Sequence, residues 1–134
     1  MRQTIDQIEV NLLRTYAECW NALDASKLAP FLAEEVIYDS QWVLESIQGK
    51  HAFLNYFSGK LSTLKGIVAQ TQVSAELRVV INYLGFTRKP CLEITQRNGQ
   101  DTNQVHLLIQ VLNGKIAKID MCFIPCHFII FPEN

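Results

Sequence analysis

Nothing in this chain reads as a membrane span, since no run approaches the roughly 18 consecutive apolar residues that one requires. The opening Met1-Arg2-Gln3-Thr4-Ile5-Asp6 has no apolar h-region either, so a cytoplasmic location is expected. An excess of one charge is also missing. Twelve basic residues stand against thirteen acidic ones, giving a net charge of -1, and the basic residues are scattered singly. No nucleic-acid partner is expected from such a surface. There is no Gly-rich phosphate loop, which removes nucleotide cofactors, and no Gly-x-Ser-x-Gly elbow for a serine hydrolase. No cofactor is expected. Cysteine is sparse. Cys19, Cys91, Cys122 and Cys126, without a secretory signal, are expected to be reduced thiols packed as small apolar groups. Cys122, Cys126 and His127 invite a zinc reading, but Pro125 falls between the cysteines on an expected strand. Structural zinc sites bring paired ligands on tight turns, so no metal is expected.

What is present is a chain of 134 residues, 49% hydrophobic, with no repeat, low-complexity segment or linker. That suffices for one sizeable core, and residues 1–134 are read as a single domain. Thr4-Ile5-Asp6-Gln7 fits a capping box, and Ile5, Ile8, Leu12, Tyr16, Cys19, Trp20 and Leu23 follow at helical spacing. Asp24 or Ser26 caps a second, short helix through Leu32, where Pro30 is tolerated in the first turn. Val36 to Leu44 reads as the first strand. Gly49 precedes a third helix whose inner face is Phe53, Tyr56, Phe57, Leu61 and Leu64, with Gly66 as its stop. From Ile67 the period changes to two, with strands at 67–73, 77–84, 91–96, 105–112 and 116–124. Asn98-Gly99 and Asn113-Gly114 mark hairpin turns. Three N-terminal helices followed by a long meander predict an α+β domain with a curved, mostly antiparallel sheet.

A two-residue turn at Asn113-Gly114 predicts the pairs Leu112 with Lys115, Leu108 with Ile119 and His106 with Met121. One face then holds His106, Leu108, Gln110, Ile119, Met121 and Phe123. The other holds Val105, Leu107, Ile109, Val111, Lys118, Asp120 and Cys122. Both are largely apolar. One is expected to meet the helices and the other, convex face a second copy of the chain as a homodimer. The closing Phe128-Ile129-Ile130-Phe131 is expected to cover the pocket mouth or a dimer partner.

Three stretches carry a family resemblance: residues 16–24 (Tyr16 to Asp24), 31–39 (Phe31 to Asp39) and 49–57 (Gly49 to Phe57). In these, and in the meander that follows, the chain resembles the nuclear transport factor 2-like superfamily, in its SnoaL-like and ketosteroid isomerase-like branches. The resemblance implies a cone-shaped barrel in which helices close over the sheet around a deep apolar pocket. In the isomerase branch a first-helix Tyr and a late-strand acid form an oxyanion hole, while a first-strand Asp moves the proton. Tyr16 takes the Tyr position. Asp39 takes that of the base if one residue is skipped, and Ser40 if none is. Leu108 stands at the second acid, a departure that argues against ketosteroid isomerisation as such.

The expected site is therefore Asp39 as general base, its pKa raised by an apolar pocket, Tyr16 as oxyanion donor and His106 as auxiliary donor. Trp20, Trp42, Phe53, Phe57, Leu108, Gln110, Ile119, Met121 and Phe123 are expected to line the pocket. The ligand would be small and mostly apolar, with cofactor-free isomerase, cyclase or dehydratase chemistry. The alternative is a non-catalytic dimeric module, in which Trp20, Trp42, Phe53 and Phe57 fill the volume.

Overall fold

The computed structural model describes the backbone of residues 6–40, 45–67, 70–82, 88–122 and 128–132, and the side chains of these except 81–82 and 128–132. Helix α1, Gln7–Ala22, begins two residues later than a Thr4 cap would place it. Its N-cap is Asp6, whose carboxylate accepts the Ile8 N–H at 2.9 Å. It ends where Leu23 turns left-handed (φ 55°), and it buries Val10, Leu12, Leu13, Tyr16, Cys19 and Trp20. Asp24 then accepts the Ser26 N–H at 2.9 Å and leads into a short 3₁₀ helix, Ser26–Phe31, that holds Pro30. Strand β1 runs from Leu32 to Ser40, four residues earlier than its apolar run suggests, and β2 is the short Ile47–Gln48. Helix α2, Lys50–Gly66, buries Phe53, Phe57, Leu61 and Leu64, with Tyr56 half-buried beside them.

The remaining strands are β3 (Thr71–Asn82), β4 (Arg88–Asn98), β5 (Asp101–Leu112), β6 (Lys115–Cys122) and β7 (Phe128–Pro132). Two expected strands, 67–73 and 77–84, are one: Ser74, Ala75 and Glu76 stay in register opposite β4. The closing apolar segment joins the sheet as an edge strand against residues Arg78–Asn82. The sheet order is β2-β1-β6-β5-β4-β3-β7, antiparallel throughout except that β1 runs parallel to β6. Among the described residues the architecture is thus α+β, a mixed seven-stranded sheet with two α-helices and one short 3₁₀ helix.

Helix α1 packs on β3 and β4, and α2 on β1, so both helices cover the same sheet face, called inner below. One buried cluster joins Leu13, Tyr16 and Trp20 of α1 and Phe53 and Phe57 of α2 to Leu32, Val36, Tyr38, Leu92, Ile94, Val105, Leu107, Ile109, Ile119 and Met121 of the sheet. Asn21 fixes α1 on β3. Its amide donates to the Ala75 carbonyl at 3.1 Å and accepts the Ala75 N–H at 2.8 Å.

The β5–β6 hairpin corrects the expected register. Asn113 (φ 54°) and Gly114 (φ 76°) form the expected two-residue turn, and Leu112 pairs with Lys115. Beyond Val111 and Ile116 the ladder slips, leaving Ala117 as an extra residue, so that Gln110 meets Lys118, Ile109 meets Ile119 and Leu107 meets Met121. A one-residue slip inverts a strand's faces relative to its partner. Ile119 and Met121 are inward as expected, but their partners are Ile109 and Leu107. His106, Leu108 and Gln110 lie on the outer face with Lys118, Asp120 and Cys122.

Candidate functional site

Tyr16 sits at the centre of the inner face, fully buried. Its ring is edge-on to Phe57 at 5.2 Å and to Phe53 at 6.5 Å, while Phe53 stacks on Phe57 at 5.6 Å. Trp20 meets Phe57 at 5.3 Å, and Tyr38 meets Phe53 at 5.4 Å and Tyr56 at 5.2 Å. Burial pushes the Tyr16 phenol well above its usual range, with the neighbouring Tyr38, Cys19 and Tyr56 adding to the effect. Tyr38 is raised in the same way, first by burial and then by its hydrogen bond with Tyr56, while a bond with Ser40 opposes the shift. The inner face therefore holds neutral phenols, persistent hydrogen-bond groups at any physiological pH.

The other two expected catalytic residues lie on the opposite side of the sheet. In the parallel ladder Tyr38 is aligned with Ile119, Asp39 with Asp120 and Ser40 with Met121. Tyr38 and Met121 are buried in the inner cluster, so Ser40 takes the inward position and Asp39 faces out. The Asp39 carboxylate accepts a hydrogen bond from the Ser46 hydroxyl and lies 3.6 Å from Lys118 Nζ, which also approaches Asp120 at 3.8 Å. His106 Nε2 lies 3.2 Å from Glu93 Oε2, and the other oxygen of Glu93 is 3.6 Å from Arg78. Asp39 and His106 share an outer face with each other and none with Tyr16. Leu108 and Gln110 go with them and leave the expected lining. Trp42 and Phe123 lie outside the described residues.

Of the cysteines, Cys19 and Cys91 are fully buried, and Cys126, with His127, is outside the described residues. Burial, aided by Glu93 and Cys122, pushes the Cys91 thiol up to about 12, so it stays protonated and unreactive. Among the described residues no group of three or more His, Cys, Asp or Glu side chains is placed to hold a metal ion.

Trp20 lines a small cavity of about 60 Å³ on the inner side, with Lys60 of α2, Ile94 and Gln96 of β4, Asn103 and Val105 of β5 and Met121 of β6. Its indole Nε1 is buried and finds no acceptor among the described residues. Trp20 and Met121 were legible as lining residues. Val105 was assigned to the wrong face by the unseen bulge, and Ile94, its partner in the β4–β5 ladder, follows it inward. Gln96 and Asn103, also paired, carry no sequence signal that separates them from solvent-facing amides. Phe53 and Phe57 pack behind the cavity as core. Two larger depressions, of about 410 and 460 Å³, open on the surface around Leu23, one toward α2 and the other toward β3. Neither contains Tyr16, Asp39 or His106.

No family model and no curated protein matches the sequence. Solved structures do match in shape. An NTF2-like protein from Mesorhizobium loti superposes with a TM-score of 0.68 at 12% identity, covering 92% of this chain and all of that one. A steroid delta-isomerase from Pseudomonas aeruginosa gives 0.64 at 14% identity, over 91% of this chain and 83% of its own. The Orange Carotenoid Protein of Anabaena, binding canthaxanthin, gives 0.63 at 16% identity, over 92% of this chain but only 38% of its own. The chain thus has the nuclear transport factor 2-like fold that the helix and strand motifs resemble.

Proposed function

We propose that the protein binds a small, mostly apolar molecule on the inner side of its sheet, where α1, α2 and strands β4–β6 meet. The observation that carries this reading is the cavity under Trp20, walled by Ile94, Val105 and Met121. Apolar walls with a few convergent polar groups are the usual composition of a small-molecule site. The likeness in fold to a protein that binds canthaxanthin and to a steroid delta-isomerase supports a small, mostly apolar ligand. Any cofactor-free isomerase- or cyclase-type chemistry would use the inward hydroxyls of Tyr16, Tyr38 and Ser40 as donors. Asp39 and His106 are separated from them by the thickness of the sheet.

A thermal-shift screen against small apolar metabolites tests the reading, because a ligand at about one hundred times its Kd adds roughly 2.7 kcal/mol of stability. Val105→Phe, which drives a ring into the cavity, should abolish any shift. A hit that survives this substitution would place binding elsewhere and end the proposal.

The second reading is a dimeric interaction module, favoured by the dense filling of the interior by Tyr16, Trp20, Tyr38, Phe53 and Phe57. A second copy would then dock on the outer sheet face around Leu108. Light scattering on the wild type and on Leu108→Glu decides it: a monomer in both leaves that face without a role.

A further inference from the structure

The Trp20 indole has one polar atom, Nε1–H, which can only donate. Trp20 is 3% exposed, lines the cavity, and its Nε1 meets no acceptor among the described residues. A buried donor left without a partner is unfavourable, and native structures keep few of them without a use. The charge of the lining has one sign. Of the seven lining residues, one is a cation, Lys60, and none is an acid, while Gln96 and Asn103 bring neutral amides that can donate or accept. Resting on the pocket reading above, we propose that this cavity is a carboxylate subsite, in which Trp20 Nε1–H donates to an oxygen of a small carboxylate-headed molecule and Lys60 supplies the counter-charge.

The dimensions choose among acceptors. A space of about 60 Å³ admits a few water-sized groups, enough for a planar carboxylate head and too little for a whole metabolite. The apolar wall of Ile94, Val105 and Met121 then lies against the first methylenes, and the rest of the molecule leaves through the mouth. Binding would match one donor-only group and one cation to one delocalised anion, which a hydrocarbon or an amine cannot do.

The test follows the two indole N–H resonances of the ¹⁵N-labelled chain, with Trp42→Phe identifying that of Trp20. Sodium butyrate should move the Trp20 resonance saturably, and butylammonium chloride at the same ionic strength should not. Trp20→Phe should weaken butyrate binding about tenfold, as expected for a lost hydrogen bond to a charged group. Lys60→Gln, at a half-buried helix position, should weaken it severalfold and guards against a Trp20 variant that fails to fold. Butyrate shifting the Val105 and Met121 amides with the indole unmoved, or binding Lys60→Gln unchanged, overturns the carboxylate assignment while the pocket reading stands. No response to butyrate while apolar hits still depend on Val105 does the same. Silence from butyrate and from every apolar candidate overturns both.

Discussion

The two faces of the β4–β5–β6 ladder divide the chemistry unequally. The outer face carries nearly every residue type that catalysis favours: Asp39, Glu93, His106, Asp120 and Cys122, with Arg78 and Lys118 among them. Asp39 and Asp120 each lie within 4 Å of Lys118, and Glu93 lies within 4 Å of Arg78 and of the His106 ring. The inner face is almost bare of charge among the described residues, yet it holds the cavity and an indole donor that meets no acceptor among them. Residue identity is therefore a poorer guide to the site than the face a residue occupies. Satisfied polar groups stabilise a surface, while an unsatisfied one inside a cavity points to a ligand.

The sharpest way to break this contrast is to alter which residues face in. Deleting Leu108 would invert β5 beyond that point against both neighbours, and we expect no folded protein by circular dichroism. Deleting Ala117 should leave a folded chain, because it removes the extra residue of the bulge without changing which side chains lie inward. Next in size is the inner core itself: Phe53→Ala should cost about 3–5 kcal/mol in chemical denaturation, through loss of its stacking and packing.

Alkaline pH probes the buried groups of both faces more gently. The Tyr16 and Tyr38 phenols are held above their ordinary value of 10, and the Cys91 thiol is raised from 9 to about 12. Below pH 9 these groups are neutral folded or unfolded, so their contribution is fully present. Above it the unfolded chain ionises first, and stability should fall progressively from pH 9 toward 12. A melting temperature that stays flat over that window would contradict the burial of all three. Cys91→Ser should shrink the part of the loss that begins lowest.

The smallest effects belong to the outer face. His106→Gln should cost about 1 kcal/mol, the value of one hydrogen bond, and leave ligand shifts unchanged. Asp39→Asn should change stability by less than about 1 kcal/mol, since its ion pair is half exposed, and should leave binding and any turnover intact. Loss of binding in either variant would return the site to the outer face.

Much of the fold was legible in the chain. The helical spacing of Leu12, Tyr16, Cys19 and Trp20 and the turn chemistry of Asn113-Gly114 are local signals, and the structure has both. Tyr16, Trp20, Ile119 and Met121 were placed inward correctly. The errors came from parity. One extra residue at Ala117 reversed His106, Leu108 and Gln110, and the choice between Asp39 and Ser40 turned on a single alignment gap that β1 resolves in favour of Ser40. Neither a bulge nor the alignment of parallel strands is set by neighbouring residues, so local pattern could not supply them.

The amide of Asn21 has a consequence for how the molecule behaves in a crowded solution. Strand β7 covers β3 from Arg78 to Asn82, which among the described residues leaves the stretch from Thr71 to Leu77 as an open sheet edge. Such an edge is a template for another chain. At Ala75 the outward N–H and C=O are both taken by Asn21, so the end of α1 acts there as a one-residue strand. The contact that seats the first helix thus also blocks edge-to-edge growth, tying solubility to the docking of α1.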